Sequence, residues 1–411
     1  MDKRVVVTGM GLITPLGNDA REFFENALRG ICRIAPIKKF DTSNYAVRIG
    51  GEIAIDEQEL KLSARRLAEM PDIAKWGILA ARKAVADAHI DLLKEAPDSI
   101  DVVMGVACPG LEVFQQQAIV VKEQGPSAAA PSAPMLANPG APAIQIGIDL
   151  GLKGEVVNVS TGCSSSTCAI GYAMRLIQHG QSSCVLAGGV DEGVTPFMVG
   201  SFGNGAVLSR RNDDPVHASR PFDRQRDGYV LSDGAGVLVL EDYERAKARG
   251  AMIYCEVAGY GASSEAVSMA HVGKSEEPGA KAIEKALSSG KCSPEDVDYY
   301  CAHGSSSRWT DIRETRMVKR VFRERASKLA VSSIKSMIGH PLGAAGVLQT
   351  AASAMAIRDS AVPPTINYEE NDPDCDLDYV PNEARAMKVR NAVVYSLGQG
   401  GNNAALVLRA C

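Results

Sequence analysis

Residues 156–166 read Val-Val-Asn-Val-Ser-Thr-Gly-Cys-Ser-Ser-Ser, an apolar run that passes through a glycine turn to Cys163 and three serines. An apolar run, a turn and a helical stretch, here reaching Gly180, predict a buried strand joined tightly to a helix. Cys163 is then expected on the first turn of that helix, where unpaired N–H groups and the helix dipole lower a thiol pKa. Free cysteines are more often small buried apolar residues, but the glycine and serines around Cys163 favour a nucleophile.

The same plan occurs again near the C-terminus. Residues 330–334, Ala-Val-Ser-Ser-Ile, form an apolar run that leads to Gly339 and His340, and a helix is predicted from about 342 to 357. Strand, turn, reactive side chain and helix therefore occur twice.

Two weaker echoes also relate the two halves of the chain. The apolar runs at 5–11 and 255–261 both end in Gly-x-Gly, and residues 97–105 resemble 294–301. Short apolar strands alternate with helices, which indicates an α/β fold with buried sheets.

We therefore predict two halves of similar plan, without a hinge-like linker between them. Residues 1–250 would carry Cys163, and residues 251–411 would carry both histidines of interest. The stretch 108–145, rich in Ala, Pro, Ser and Gly, is expected to form long loops or a cap.

The composition excludes several classes of protein. The 411 residues are 45% hydrophobic and 23% charged, as in ordinary globular proteins, and the formal net charge of −5 makes nucleic acid and anionic membranes unexpected partners. No apolar run approaches the roughly 18 residues of a membrane span, and the N-terminus does not read as a signal peptide, so we expect a cytoplasmic protein. Ten cysteines without a Cys-x-x-Cys pair indicate neither a zinc site nor a disulfide framework.

His303 and His340 are the two histidines in glycine-rich turns. His303 follows a predicted strand in the run 301–307, Cys-Ala-His-Gly-Ser-Ser-Ser. Because strand-to-helix turns of an open α/β sheet gather at one edge, we expect both rings to converge with Cys163. The other histidines lack this context and are expected at the surface: His89, His179, His217 and His271.

Six ordered motifs span almost the whole chain, and together they resemble the elongating β-ketoacyl-acyl-carrier-protein synthases (synthase II group) of the thiolase superfamily. The motifs lie at 5–17, 161–165, 218–236, 302–307, 335–346 and 396–403. The resemblance implies a thiolase-like five-layered α/β/α/β/α fold with two pseudo-repeated halves, and a dimer. It also implies an acyltransferase that condenses an acyl group held on Cys163 with a malonyl thioester. His303 and His340 would bind the malonyl carbonyl and stabilise the enolate left by loss of CO₂.

The resemblance implies supporting roles for further residues. The backbone N–H groups of Cys163 and Gln399 would form an oxyanion hole. Lys335 and Glu314 would hold the histidines and the local charge in place. The side chains expected to contact substrate are Ser305 and Ser307, on the phosphopantetheine arm, and Phe202, Cys108 and Ala133, on the acyl chain.

Some positions depart from the pattern of the family. Gln399 replaces a gating Phe, and Cys108 and Ala133 are small, which suggests a longer or more polar acyl tunnel. Gln349 and Cys301 replace a Glu and an Asn linked to a structural monovalent cation, so we expect no metal. No other cofactor is expected, because the phosphopantetheine arm enters as part of the substrate.

These departures favour type II polyketide or specialised-lipid synthesis. Housekeeping fatty acid elongation and a non-catalytic subunit that shapes a partner's tunnel are the alternatives. The expected partners are an acyl carrier protein and a second subunit, either a copy of the chain or a related ketosynthase or chain-length factor. The basic run 316–328 is either a solvated helix face or a contact for an acidic carrier protein.

Overall fold

The computed structural model describes residues 3–411, which form short strands and intervening helices. The strands are β1 (Val5–Ile13), β2 (Ala35–Pro36), β3 (Ile49–Gly50), β4 (Asp101–Gly105), β5 (Val156–Val159), β6 (Cys184–Glu192), β7 (Asp233–Asp242), β8 (Cys255–Ser264), β9 (Tyr299–Cys301), β10 (Ala330–Ser332), β11 (Ala361–Val362), β12 (Arg385–Ala386), β13 (Asn391–Gly398) and β14 (Asn402–Arg409). The helices are α1 (Ala20–Leu28), α2 (Ala64–Glu69), α3 (Asp72–Asp87), α4 (Leu111–Gln124), α5 (Ala133–Leu136), α6 (Ala141–Leu150), α7 (Ser165–Gln178), α8 (Pro196–Asn204), α9 (Tyr243–Ala248), α10 (Glu277–Ser289), α11 (Arg308–Phe322), α12 (Lys335–Ile338) and α13 (Ala345–Asp359).

Ten of the strands form two half-sheets of the same plan. Their hydrogen-bonded orders are β5-β4-β6-β7-β1 and β10-β9-β13-β14-β8. In each half the first two pairings are parallel and the last two antiparallel. Among residues 3–411, two β-ladder pairs join the halves, Val6 with Glu256 and Val7 with Cys255. The repeated plan predicted from the sequence is therefore present in the strand order itself.

The helices complete five layers. Helices α7 and α13 each contact strands of both half-sheets, while α3 covers the outer face of the first half and α10 that of the second. Because α13 is enclosed between sheets, nearly all of its side chains are buried, and most of them are small or apolar. The expected α/β/α/β/α arrangement is confirmed.

The two Gly-x-Gly runs, in β1 and β8, are explained by close packing against a helix. A Cβ at Gly11 of β1 would lie 2.0 Å from the carbonyl oxygen of Ala80 on α3, and one at Gly261 of β8 would lie 2.2 Å from that of Ala282 on α10. The backbones of strand and helix therefore touch at equivalent points of the two halves. Only glycine leaves room for this contact.

Two expectations about local structure are wrong. The stretch 108–145 is mostly helical, because the Gly and Pro residues there fall at the ends of α4, α5 and α6 rather than inside them. The strand that precedes Cys163 is not buried: β5 is the edge strand of its half-sheet, and Val156 is 38% exposed. Across residues 3–411, no helix is both long and apolar enough to span a membrane.

Candidate active site

An open cavity of about 270 Å³ contains the thiol and both imidazoles singled out above. Cys163, His303 and His340 line it together with Ser305 and Ser307. The three reactive groups come from turns after β5, β9 and α12, so the predicted convergence at one edge of the fold is present.

Cys163 is presented by a turn that strongly favours glycine. Gly162 has φ +64°, and a Cβ there would lie 3.1 Å from the backbone nitrogen of Gln399. This close approach brings the 398–399 turn against the cysteine. Cys163 precedes Ser164, the N-cap of α7. The expectation that Cys163 lies on the first turn of the helix is therefore wrong.

The thiol pKa is raised, to about 11, which is opposite to the expectation from the helix dipole. Burial is the largest cause, because a thiolate loses its hydration in the cavity wall. The backbone N–H groups of Gln399 and of Cys163 itself, together with Lys335, favour the thiolate, while Asp191 opposes it. Cys163 is therefore a thiol at neutral pH, and two N–H donors point at its sulfur.

His303 and His340 face each other across the cavity. Their ring centroids are 5.2 Å apart and the rings are nearly perpendicular. Burial, with a further contribution from the Lys335 charge, holds the pKa of both imidazoles well below the usual value, so both are neutral at pH 7. Two neutral imidazoles can donate hydrogen bonds without themselves titrating.

The surroundings of the two rings differ. The backbone N–H of Leu397 donates to Nδ1 of His303 at 3.3 Å, which leaves the proton of the neutral ring on Nε2. His340 Nδ1 is buried and has no hydrogen-bond partner among residues 3–411. Its ring instead meets Tyr229 edge-on, at 5.4 Å between centroids.

Lys335 and Glu314 hold the backbone of His303 rather than its ring. Lys335 Nζ donates to the His303 carbonyl at 2.6 Å. Glu314 accepts from the N–H groups of His303 and Gly304 at 2.8 and 2.7 Å, and from the Tyr300 hydroxyl. Burial lowers the pKa of Lys335 to about 8 and raises that of Glu314 to about 7. The pair fixes the turn that aims the imidazole.

The Gln349 amide lies where several backbone carbonyls converge. Its Nε2 donates to the carbonyls of Ala302 at 2.7 Å and Tyr395 at 3.0 Å, and its Oε1 accepts from Lys335 Nζ at 3.3 Å. Among the described residues, no group of three His, Cys, Asp or Glu side chains could hold a metal ion.

Asp191 at the end of β6 is a site residue that the sequence reading missed. It is fully buried and accepts three backbone N–H groups, from Ala107 at 2.7 Å, Cys108 at 3.0 Å and Gly343 at 2.6 Å. Burial raises its pKa to about 7. The sequence signal that could have revealed this residue is the acidic pair Asp191-Glu192, which ends the otherwise apolar run of β6.

The predicted acyl-chain residues occupy different places. Cys108 packs in the same apolar cluster as Cys163. Phe202 lies one layer behind the cavity, edge-on to Tyr229 at 6.3 Å. Ala133 does not line this cavity. It lines a separate one of about 400 Å³, which shares the wall residue Glu112 with the small pocket beside Cys108.

The rim of the active-site cavity contains residues that the motifs did not single out. Trp309 and Val207 line it, together with the loop that carries His271, which the sequence reading placed simply at the surface. The side chain of Gln399 reaches that loop, where its Nε2 donates to the Ala270 carbonyl at 3.2 Å.

This arrangement of thiol, paired imidazoles and backbone donors on a doubled α/β body defines a condensing enzyme of the thiolase type. The chain belongs to the β-ketoacyl synthase family: models of the N-terminal and C-terminal domains of beta-ketoacyl synthases match residues 2–246 and 254–369. The prediction of an acyltransferase of the ketosynthase class is confirmed.

The proteins similar to this chain include a 3-oxoacyl-[acyl-carrier-protein] synthase and ketosynthases of known structure. The chain is 40% identical over 408 residues to 3-oxoacyl-[acyl-carrier-protein] synthase 2 of Synechocystis sp., covering 99% of this chain and 98% of that protein. Among solved structures, a type II polyketide synthase acyl-carrier protein in complex with its ketosynthase matches with a TM-score of 0.92 at 31% identity. The ishigamide ketosynthase/chain length factor matches with a TM-score of 0.92 at 30% identity, and both structures are covered fully, as is this chain.

Proposed function

We propose that this protein catalyses the decarboxylative Claisen condensation of an acyl group on Cys163 with malonyl-acyl carrier protein. The observation that carries the proposal is the meeting of one thiol and two neutral imidazoles in a single cavity. Mass spectrometry of products formed from malonyl-loaded carrier protein and a panel of acyl starters tests it. Absence of a chain extended by two carbons with every starter would contradict it.

The first half-reaction transfers the acyl group to the enzyme. The Cys163 sulfur attacks the thioester carbonyl, and the departing pantetheine thiol takes up a proton. Because the Cys163 pKa is about 11, its proton has to leave during the attack rather than before it. The N–H groups of Cys163 and Gln399 stabilise the negative charge as it moves from sulfur to carbonyl oxygen.

The second half-reaction makes the carbon–carbon bond. His303 and His340 donate to the malonyl thioester carbonyl, so the electrons of the breaking carbon–carboxylate bond collect on an oxygen that already faces two donors. CO₂ leaves, the enolate carbon attacks the acyl-Cys163 carbonyl, and the sulfur is released as a thiolate that takes up a proton from water, since the pKa of Cys163 is about 11. One such donor contributes about 3 to 4 kcal/mol to lowering the barrier.

We assign the acyl chain to the separate cavity of about 400 Å³, whose wall includes Glu112, Gln116, Gln117 and Ala133. Glu112 accepts from Gln116 Nε2 at 3.0 Å, and Gln117 accepts from the Ala130 N–H at 2.8 Å. Because packing a saturated alkyl chain against these polar groups would deprive them of water, the walls suit a polyketide or specialised-lipid intermediate, whose oxygens can take up hydrogen bonds. Fatty acid elongation is the second candidate, since the Synechocystis relative at 40% identity is a 3-oxoacyl synthase. The starter panel separates the two.

A second subunit covers the face formed by α6 and β5, which contact each other. Ile148 of α6 is 61% exposed, and Val156 lies on the unpaired edge of the sheet. Exposed apolar side chains beside a free strand edge are typical of an interface. The solution mass distinguishes a homodimer from a chain that requires a related ketosynthase or chain-length factor.

Retention of the thiol and both imidazoles argues against a non-catalytic, tunnel-shaping subunit. No cofactor takes part in the proposed reaction, and the Gln349 amide takes the place of a structural cation. All ten cysteines are free, which suits the reducing cytoplasm.

A further inference from the structure

We propose that an apolar collar around the mouth of the cavity, with Trp309 as its anchor, is the docking surface for the carrier protein. The collar consists of Val207, Met269 and Trp309, which come from three separate segments. This inference rests on the proposed function, because it names the surface that receives the carrier of that reaction.

The collar is exposed and continuous with the active site. Trp309 is 76% exposed and Met269 82%, yet Trp309 and Val207 also line the cavity that contains Cys163. Met269 lies against the 398–401 turn, since a Cβ at Gly400 would be 3.6 Å from its sulfur. A large aromatic side chain left in water at the entrance of a site has an apolar surface that a partner can bury.

The route by which the substrate arm enters the cavity identifies that partner. A prosthetic arm that reaches Cys163 through this cavity passes Ser305, Ser307 and Trp309 in the wall. The protein that carries the arm must then rest on the rim, where the collar lies. A carrier whose docking face presents an apolar side chain fits this surface.

The basic run is a weaker candidate for the same partner, because much of its charge is already paired. Arg316 contacts Asp374 at 3.3 Å, Lys319 pairs with Asp376, and Arg320 contacts Glu276 at 3.4 Å. These carboxylates compete with any acidic partner. The number of basic residues in this run therefore overstates the attraction that the helix offers to an acidic partner.

Kinetics with two forms of substrate test the proposal. Trp309→Ala should raise the KM for a carrier-bound thioester by about 30-fold, the size typical of a tryptophan at the centre of an interface. The KM for the corresponding pantetheine thioester, which has the arm but no protein, should rise far less, because that substrate loses only the contact of its arm with the Trp309 ring in the cavity wall. Leu93→Ala, which truncates an apolar side chain that is 97% exposed elsewhere, is the control. Equal KM values for wild type and Trp309→Ala, or an equal rise with both substrates, would overturn the assignment.

Fluorescence gives a reading that does not depend on turnover. The chain has two tryptophans, Trp76, which is 2% exposed, and Trp309. Adding carrier protein should shift the emission of the wild type to the blue and protect it from a soluble quencher, whereas Trp309→Phe should show neither change. Absence of the shift in wild type at carrier concentrations that saturate turnover would overturn the proposal. Turnover of the pantetheine thioester shows separately whether the condensing activity itself is present.

The salt dependence of the KM for the carrier-bound substrate distinguishes an apolar docking surface from a charged one. The KM for the carrier-bound substrate should change less than about threefold between low and high salt, because apolar contacts are not screened. Neutralising the basic run with Lys319→Gln and Arg320→Gln should leave the KM unaltered. If the KM rises in those two variants or in Arg308→Gln but not in Trp309→Ala, the docking surface consists of the charged residues instead of the collar.

Discussion

The backbone N–H of Leu397 donates to Nδ1 of His303, so the ring is held with its remaining proton on Nε2. Because burial also keeps this imidazole neutral, it is a hydrogen-bond donor throughout the physiological pH range. A donor of this kind stabilises an enolate without proton transfer.

Malonyl decarboxylation should therefore depend on the histidines and not on the thiol. His303→Ala and His340→Ala should each lower the rate by 10²- to 10³-fold, the range found for removal of one oxyanion donor. Cys163→Ala should retain decarboxylation, measured as CO₂ release from malonyl-loaded carrier protein. Equal activity in the cysteine and histidine variants would refute this division of roles.

The pH dependence of the two half-reactions should differ. Modification of Cys163 by an alkylating reagent should accelerate about tenfold per pH unit from pH 7 to 10, because the thiolate fraction grows until the pKa of about 11. The two imidazoles should stay neutral at neutral pH, because burial holds their pKa well below the usual value. A change in the decarboxylation rate near pH 7 to 8 should therefore come from Glu314, with a pKa of about 7, and Lys335, with a pKa of about 8, which hold the His303 turn. Intact-mass measurement, with Cys163→Ala as control, checks the first statement. A plateau in alkylation below pH 8 would show that the thiol is activated after all.

Asp191 should suppress the reactivity of Cys163. At pH 9 its carboxylate is ionised, since its pKa is about 7, and its negative charge disfavours a nearby thiolate. Asp191→Asn should therefore make alkylation of Cys163 faster at pH 9. The amide keeps one acceptor oxygen and replaces the other with a donor, so at least one of the three buried N–H groups loses its partner, which destabilises the fold by about 1 to 3 kcal/mol. Thermal unfolding measures the second effect. Slower alkylation in a folded variant would mean that Asp191 acts only through structure.

Gln349 should make the fold independent of monovalent cations. The unfolding temperature of the wild type should not change when K⁺ replaces a large organic cation, because the amide nitrogen already donates to the converging carbonyls. Gln349→Glu removes that donor and adds a charge, so it should lower the unfolding temperature, and K⁺ should restore part of the loss. A strong K⁺ effect on wild type would contradict this account.

The strand–helix contact at Gly261 should tolerate no side chain. Gly261→Ala places a Cβ 2.2 Å from a backbone oxygen and should destabilise the protein by more than about 2 kcal/mol. Gly77→Ala, in α3, meets its nearest atom only at 3.6 Å and should stabilise the helix by about 0.5 to 1 kcal/mol. Denaturant unfolding of both variants checks the contrast. Similar midpoints for the two would show that the strand can move away from the helix.

Much of the fold could be predicted from local patterns, because each half repeats a signal that acts within a few residues. Gly162 with Cys163, and Gly339 with His340, mark turns whose conformations depend on the glycine itself. The Gly-x-Gly runs at Gly11 and Gly261 likewise report a helix that packs closely on a strand. The region 108–145 was misread because Gly and Pro residues at helix ends resemble those of loops when neighbours are unknown.

Residue types and their spacing predicted the reactive groups and the two-fold repetition of the chain, and the resemblance of its motifs indicated the family. The protonation of Cys163, the effect of Asp191 on it and the exposure of Trp309 at the mouth could be read only from the folded chain. Desolvation and electrostatic interaction depend on what surrounds a group in space. Those surroundings come from segments far apart in the chain.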